Sequence, residues 1–308
     1  MTRFLVTGAS GLLGLNFSIH AAKLHEVVGT FNQNKLKNVP FFTEAIDFSQ
    51  EDHSISRIDE IHPDVVIHCA AMANLEECEN NPSQAQYINA EIPGKLANYC
   101  KKNDVKFVHI STDAVFDGKN GNYSEQDQPN PLSIYAKSKL AGEYLVQEEN
   151  EHAIIARVNF FGWSITGKRS LGEFFYNNLK VQNPINGFID VMFCPLYVSL
   201  LTDLILDMVD RQLSGLYHVV SSNSMSKYDF GCEIAEKFEF DPSVIHPISV
   251  DKSELIAERS KNLTLSTEKL TRDLDKSLPT IKQGIHSFYE DNQNGFAKKI
   301  RTFRFETN

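Results

Sequence analysis

The stretch Val6-Thr-Gly-Ala-Ser-Gly-Leu-Leu-Gly14 constrains this chain more than any other. It follows a compact apolar run, Phe4 to Thr7, that reads as a β-strand, and it opens a helical pattern from Leu12 to Leu24. The spacing is Gly-x-x-Gly-x-x-Gly. Gly8 permits a tight turn, Gly11 lets the backbone come close to a ligand, and Gly14 lets the helix pack against the strand. The unpaired N–H groups and dipole of the helix N-terminus favour an anion at this turn. Between a strand and a helix, this spacing predicts a site for the pyrophosphate of a dinucleotide.

The next segments extend the same rhythm. Glu26 to Phe31, Asp64 to Cys69 and Asp104 to Ile110 are short, β-branched and nearly continuous in apolar character, as strands covered on both faces should be. Between the last two, Ile88, Ile92, Leu96 and Tyr99 recur at helical spacing, with Pro82 suited to a first helical turn. Ala153 to Val158 is a further strand. This alternation predicts an α/β fold: a Rossmann-type doubly wound parallel sheet with right-handed crossovers. Beyond about residue 160 the rhythm changes, and a smaller C-terminal substrate-binding lobe is expected. The expected division is 1–160 for the nucleotide-binding domain and 161–297 for the lobe, with chain crossings back to the first domain. Residues 298–308 are expected to form a polar tail without structure.

Composition excludes several classes. A formal net charge of -10 argues against nucleic acid, which needs a basic face. The five cysteines are odd in number and contain no Cys-x-x-Cys, and no His-x-x-x-His occurs, so no disulfide or metal framework is expected. The most apolar stretch, Pro195 to Val209, is broken by Asp203 and Asp207 and is too short to span a bilayer. A strand by Phe4 leaves no room for a signal peptide. The expectation is a cytoplasmic protein.

Two elements carry chemistry. Tyr135 and Lys139, in Leu132-Ser-Ile-Tyr-Ala-Lys-Ser-Lys-Leu-Ala-Gly-Glu143, are one helical turn apart and share a face. An ammonium beside a phenol is expected to lower its pKa from about 10 towards the working pH, as a general acid requires. The strand ending at Ile110 runs into Ser111-Thr-Asp113, where ligands meet the carboxyl ends of parallel strands. Thr112 there is placed to hydrogen-bond a substrate carbonyl while Tyr135 supplies the proton. At the end of the second strand, Thr30-Phe-Asn-Gln-Asn-Lys35 carries no acid to grip ribose hydroxyls, which leans towards NADP(H), with NAD(H) as the alternative. Asp47 and Phe48 are candidates for the adenine rim. Lys168 and Arg169 form a basic loop that would serve equally as a phosphate grip or an exposed surface.

With these residues in view, the chain resembles an extended short-chain dehydrogenase/reductase, close to the dTDP-4-dehydrorhamnose reductase family. The resemblance spans roughly residues 3 to 290. It rests on Cys69-Ala-Ala71, Leu75-Glu-Glu-Cys-Glu79 with Pro82, Ile88-Asn-Ala90, Ser111-Thr-Asp113 with Val115-Phe-Asp-Gly118, and the Tyr135–Glu143 segment. Gly215-Leu-Tyr-His218 and the run from Arg259 to Leu270 follow the same pattern.

The resemblance implies reduction at C4 of a nucleotide-diphosphate-linked 4-keto-6-deoxysugar, with Tyr135 as proton donor. It implies a catalytic set of Tyr135, Lys139, Thr112 and Asp113. Gly8, Gly11, Leu12, Leu13, Gly14, Thr30, Phe31, Asp47, Phe48, Ala70, Ala71, Met72, Asn89, Ser111 and Lys139 would line the coenzyme. Leu75, Thr112, Tyr135, Phe160 and Arg259 would meet the substrate, with Arg259 at its diphosphate. The partner is a nucleotide sugar, with no nucleic acid, no membrane and no metal, and a homodimer is the commonest assembly for such enzymes.

Three positions depart from the family pattern: Ala114 where an aromatic is common, Met72 for tyrosine, and Ser260 for proline. They bear on which sugar is used. The rivals are an epimerase or 4,6-dehydratase of the same superfamily, and a non-catalytic NADP-binding subunit like the methionine adenosyltransferase β-subunit. Ala114 cannot supply the glutamate that dehydratases place there.

Overall fold

The computed structural model describes residues 1–48, 51–252 and 260–303. Seven parallel strands form the central sheet: β1 (Arg3–Thr7), β2 (Glu26–Phe31), β3 (Phe42–Ala45), β4 (Val65–His68), β5 (Lys106–Thr112), β6 (Ile154–Val158) and β11 (Gly215–Val219). Their order is β11-β6-β5-β4-β1-β2-β3. The reversal of direction from β1 lies between β1 and β4, paired Phe4↔Val65 through Thr7↔His68. This is the switch point that opens a crevice at the carboxyl ends of the strands.

Alternation along the strands sends side chains into two layers. From β1, Phe4 and Val6 enter the core with Leu13, Leu15 and Phe17 of α1 (Leu12–Ala21) and Leu201, Leu204 and Ile205 of α8 (Val198–Asp210). Leu5 enters the opposite layer with Ile58 of α2 (Glu51–Ile61), Ile92 and Leu96 of α5 (Ile92–Lys102) and Val146 of α6 (Ile134–Glu149). Before α5, α3 (Leu75–Asn80) and α4 (Pro82–Gln86) lead into a π-helical turn over Tyr87–Glu91.

The second lobe is built on aromatic packing. Trp163 is fully buried, stacks on Phe288 at 3.9 Å and donates to the Phe288 carbonyl at 3.0 Å. Phe161 packs edge to face on Phe288 and on Phe230, and Phe230 does so on Phe175. The helices are α7 (Leu171–Lys180), α9 (Lys227–Lys237), α10 (Glu268–Leu274), α11 (Ile281–Gln293) and α12 (Phe296–Lys299). Three strand pairs complete the lobe: β7 (Phe160–Phe161) with β10 (Leu196–Tyr197), β8 (Ile185–Phe188) with β13 (Ile245–Ile248), and β9 (Met192–Phe193) with β12 (Met225–Ser226).

The chain crosses back to the first domain, as expected: α8 packs on α1, and β11 hydrogen-bonds along β6 from Gly215↔Ile154 to Val219↔Val158. One expectation changes here. The stretch from residue 298 is not a bare polar tail, because Ile300 and Phe303, three residues apart, turn into the core at 0% and 3% exposure. Their shared face draws α12 and the 3-10 turn Ile300–Thr302 onto the lobe.

Candidate active site

The glycine turn has the geometry its sequence requires. Gly8 holds φ at +67°, and a Cβ there would lie 2.9 Å from the Ala70 Cα and N. A Cβ on Gly14 would reach the Gly8 carbonyl oxygen at 2.4 Å, so the helix can approach the strand only as glycine. Above Gly11 the nearest atom to a Cβ is that same carbonyl at 3.1 Å, which leaves its outer side open to a ligand. No side chain caps α1 at Gly11, so the first-turn N–H groups of Leu12, Leu13 and Gly14 stay free of side-chain acceptors. The turn is braced by Ala9 N–H donating to the Thr30 carbonyl at 2.9 Å. Thr30 itself is buried, and its contribution is that carbonyl. Phe31 and Asp47 are half-buried at the ends of β2 and β3, and Phe48 sets its ring edge-on to His68. An uncapped helix start behind an open glycine turn fits a dinucleotide pyrophosphate.

The basic loop brings Arg169 to the glycine turn. Its guanidinium donates to the Ser10 carbonyl at 3.1 Å, which lays a cation across the glycine turn. Spacing in sequence holds no signal for this, because 159 residues separate the partners.

On the other side of the crevice, Asn89 clamps the loop after β4. Met72 N–H donates to the Asn89 side-chain oxygen at 2.9 Å, and the Asn89 amide donates to the Met72 carbonyl and to Ser138 Oγ, both at 3.0 Å. Asn89 lies in the π-helical turn, and a Cβ on Gly142 would come within 2.2 Å of its carbonyl oxygen. The wide turn and the glycine together bring α6 against this loop. Ala70, Ala71 and Met72 line the loop so held, with Leu75 starting α3 beyond it. Glu79 accepts from Ile134 N–H at 2.9 Å and so pins the start of α6.

Tyr135 and Lys139 face the site from α6, but they do not interact as expected. Lys139 Nζ donates to the Ile110 carbonyl at 2.7 Å and lies 3.3 Å from His109 Nε2. Burial lowers it to about 8, and Glu143 opposes this. Tyr135 is pushed up to about 12, first by burial, with the Thr112 hydrogen bond opposing and the charges of Asp113 and Cys78 adding. The expectation that Lys139 acidifies Tyr135 is thus corrected: in this structure the ammonium is drawn back to β5 and the phenol is held by Thr112. Burial and Lys139 push His68 down to about 3 and His109 well below the ordinary histidine range, so both stay neutral near pH 7. His109 therefore accepts from Lys139. Burial, opposed by Lys139, pushes the Cys69 thiol up to about 12, which keeps it a neutral neighbour.

Ser111 also turns away. Its hydroxyl bonds Glu143, which is held in a buried pair by Arg157 at 2.7 Å. Ser111 and Thr112 alternate on β5, so only Thr112 faces the crevice. Thr112 donates to Asp113 at 3.1 Å, and Asp113 accepts from Asn159 Nδ2 at 2.6 Å. Asn159 was not foreseen; it stands beside Phe160, which begins β7 half-buried at the lobe boundary. Arg259 lies outside the described residues. Among the described residues, no group of three or more His, Cys, Asp or Glu side chains could hold a metal, and no helix is long and apolar enough to cross a membrane.

Comparison with known proteins supports the same fold and family. The family described as RmlD substrate binding domain matches residues 2–294. The probable low-salt glycan biosynthesis reductase Agl14 of Haloferax volcanii is 31% identical over 292 residues, covering 91% of this chain and 95% of that protein. Methionine adenosyltransferase 2 subunit beta of Bos taurus is 30% identical over 310 residues, covering 94% and 89%. The dTDP-4-dehydrorhamnose reductase of Bacillus anthracis, solved in complex with NADP, superposes with a TM-score of 0.84 at 25% identity, covering 94% of this chain and 99% of that one.

Proposed function

The chain belongs to the RmlD substrate binding domain family, and from that premise we propose that it is an NADPH-preferring reductase of a nucleotide-diphosphate-linked 4-keto-6-deoxysugar. The observation that carries the reading is the convergence of an open glycine turn with Thr112 and Tyr135 across one crevice. NADPH, when bound, supplies the hydride for C4 of the sugar. The remaining work falls to the chain. Gly8, Gly11 and the first turn of α1 take the pyrophosphate, with Arg169 above them. Tyr135, whose high pKa keeps it protonated across the neutral range, gives its proton to the new alkoxide. Lys139 keeps a donor for the nicotinamide ribose. Met72, Leu75 and Phe160 border the sugar, and Arg259 is assigned to its diphosphate.

A second reading is supported by the 30% identity to methionine adenosyltransferase 2 subunit beta: a coenzyme-binding regulatory subunit without turnover. One assay separates the two. NADPH absorbance is followed with dTDP-, GDP-, CDP- and UDP-linked 4-ketosugars. Stoichiometric oxidation with one of them supports the reductase. Coenzyme binding without oxidation on any of them removes the first reading and leaves the second.

A further inference from the structure

A serine cap followed three residues later by glutamate ordinarily closes a reciprocal box, the glutamate turning back to the N–H of the cap. At the start of α7 half of that box is present: Ser170 Oγ accepts from Glu173 N–H at 3.1 Å. The Glu173 side chain goes elsewhere. One carboxylate oxygen accepts from Ser164 N–H at 2.8 Å. The other accepts from the Ser164 hydroxyl at 2.6 Å and from Arg169 N–H at 3.0 Å. Glu173 is 0% exposed, and these bonds offset the cost of keeping its charge out of water. Burial raises its pKa, while the bonds from Ser164 and Arg169 and the charge of Arg301 oppose the rise.

Arg169 is thereby divided. Its main-chain N–H is held inward by Glu173, and its guanidinium runs outward to the Ser10 carbonyl at 3.1 Å. A carboxylate whose two oxygens are already engaged does not draw the guanidinium in. The rest of the loop is fixed around this point. Asn177 Nδ2 donates to the Gly167 carbonyl at 2.7 Å, and Gly167 N–H donates to Ser164 Oγ at 3.1 Å. The Arg301 guanidinium lies against Gly167, where a Cβ would come within 3.0 Å of it. A guanidinium carries five N–H donors, so the bond to Ser10 leaves others for an anion on the glycine turn.

We propose that Glu173 is a positioning residue for coenzyme binding: it anchors the main chain of Arg169 so that the guanidinium stands over the glycine turn, ready for the pyrophosphate. This inference rests on the NADPH-binding reading above.

NADPH affinity, read by fluorescence titration, tests it in a double-mutant cycle. Glu173→Ala removes the acceptor of Arg169 N–H and is expected to weaken NADPH about tenfold, as Arg169→Ala does. The double variant is expected to bind no more weakly than Arg169→Ala alone, because Glu173 acts through that one side chain. The dependence of affinity on salt should fall equally in all three variants. A role confined to holding the lobe together predicts additive losses, about a hundredfold in the double variant. It also leaves the salt dependence of Glu173→Ala at the natural value. Either result overturns the proposal.

A measurement without coenzyme stands beside these. Trypsin should cut after Lys168 about fivefold faster in Glu173→Ala than in the natural chain, the factor that loss of one ordinary hydrogen bond at that peptide corresponds to. Equal rates overturn the anchoring. Glu173→Gln keeps the volume and a weaker acceptor, and it carries the same comparisons if the alanine variant does not fold. A natural chain that binds no NADPH refutes the coenzyme reading, and the trypsin rates then still decide whether Glu173 holds Arg169.

Discussion

Replacing Lys139 by methionine tests what the site costs the fold. The lysine amine falls from 10.5 to about 8 on folding, chiefly because burial strips water from the ammonium. That difference corresponds to about 3 kcal/mol of destabilisation wherever the lysine is charged in both states. The sign runs against the common case. Below pH 8 both states bind the proton, and the fold carries the whole penalty. Between about 8 and 10.5 the unfolded chain binds more protons than the native one, so stability rises with pH. Above that window the penalty is gone. Methionine removes the charge with similar volume, at the loss of bonds to Ile110 O and His109 worth about 1–2 kcal/mol. Glu143 is not stranded, since Arg157 holds it through three contacts.

Lys139→Met should therefore be more stable than the natural protein by about 1–2 kcal/mol at pH 7. The advantage should shrink to nothing by about pH 10. Urea unfolding of both proteins across this range reads it directly. A variant less stable than the parent at pH 7, or a gap that does not change with pH, would refute the reasoning. The same variant should lose most NADPH-dependent turnover.

Three further outcomes follow from named contacts. Tyr135→Phe should cut ketone reduction at least about 100-fold while NADPH binding, read by fluorescence titration, persists; unchanged turnover removes the phenol from the chemistry. Gly8→Ala should cost about 2–4 kcal/mol in thermal or urea unfolding, from left-handed backbone plus a Cβ driven onto Ala70, whereas Gly295→Ala, at φ +80° with nothing within 4 Å, should cost only about 1–2. Arg169→Ala should weaken NADPH about tenfold with little change in unfolding, because it removes an exposed cation that rests on Ser10; equal affinity would make the loop mere surface.

Local chemistry was legible without coordinates. The spacing of Gly8, Gly11 and Gly14, the β-branched runs and the helical face shared by Tyr135 and Lys139 are properties of adjacent residues. Backbone sterics and side-chain period act at that range, so the parallel α/β sheet and the glycine turn follow from them. The direction in which a long side chain points is another matter. Lys139 stands one turn from Tyr135, yet its amine takes the Ile110 carbonyl because that acceptor lies buried beside it. Ser111 and Thr112 are neighbours, yet one turns to Glu143 and the other to Asp113. Arg169 finds Ser10, Asn159 finds Asp113, and β11 returns to β6 through contacts between residues far apart in the chain. Such pairings are set by burial, which makes an unpartnered polar atom costly and leaves each group only the partners that packing brings within reach. The sequence alone thus determined the fold class and the residues proposed to carry the chemistry. Tertiary structure decided the state of protonation and the partner of each.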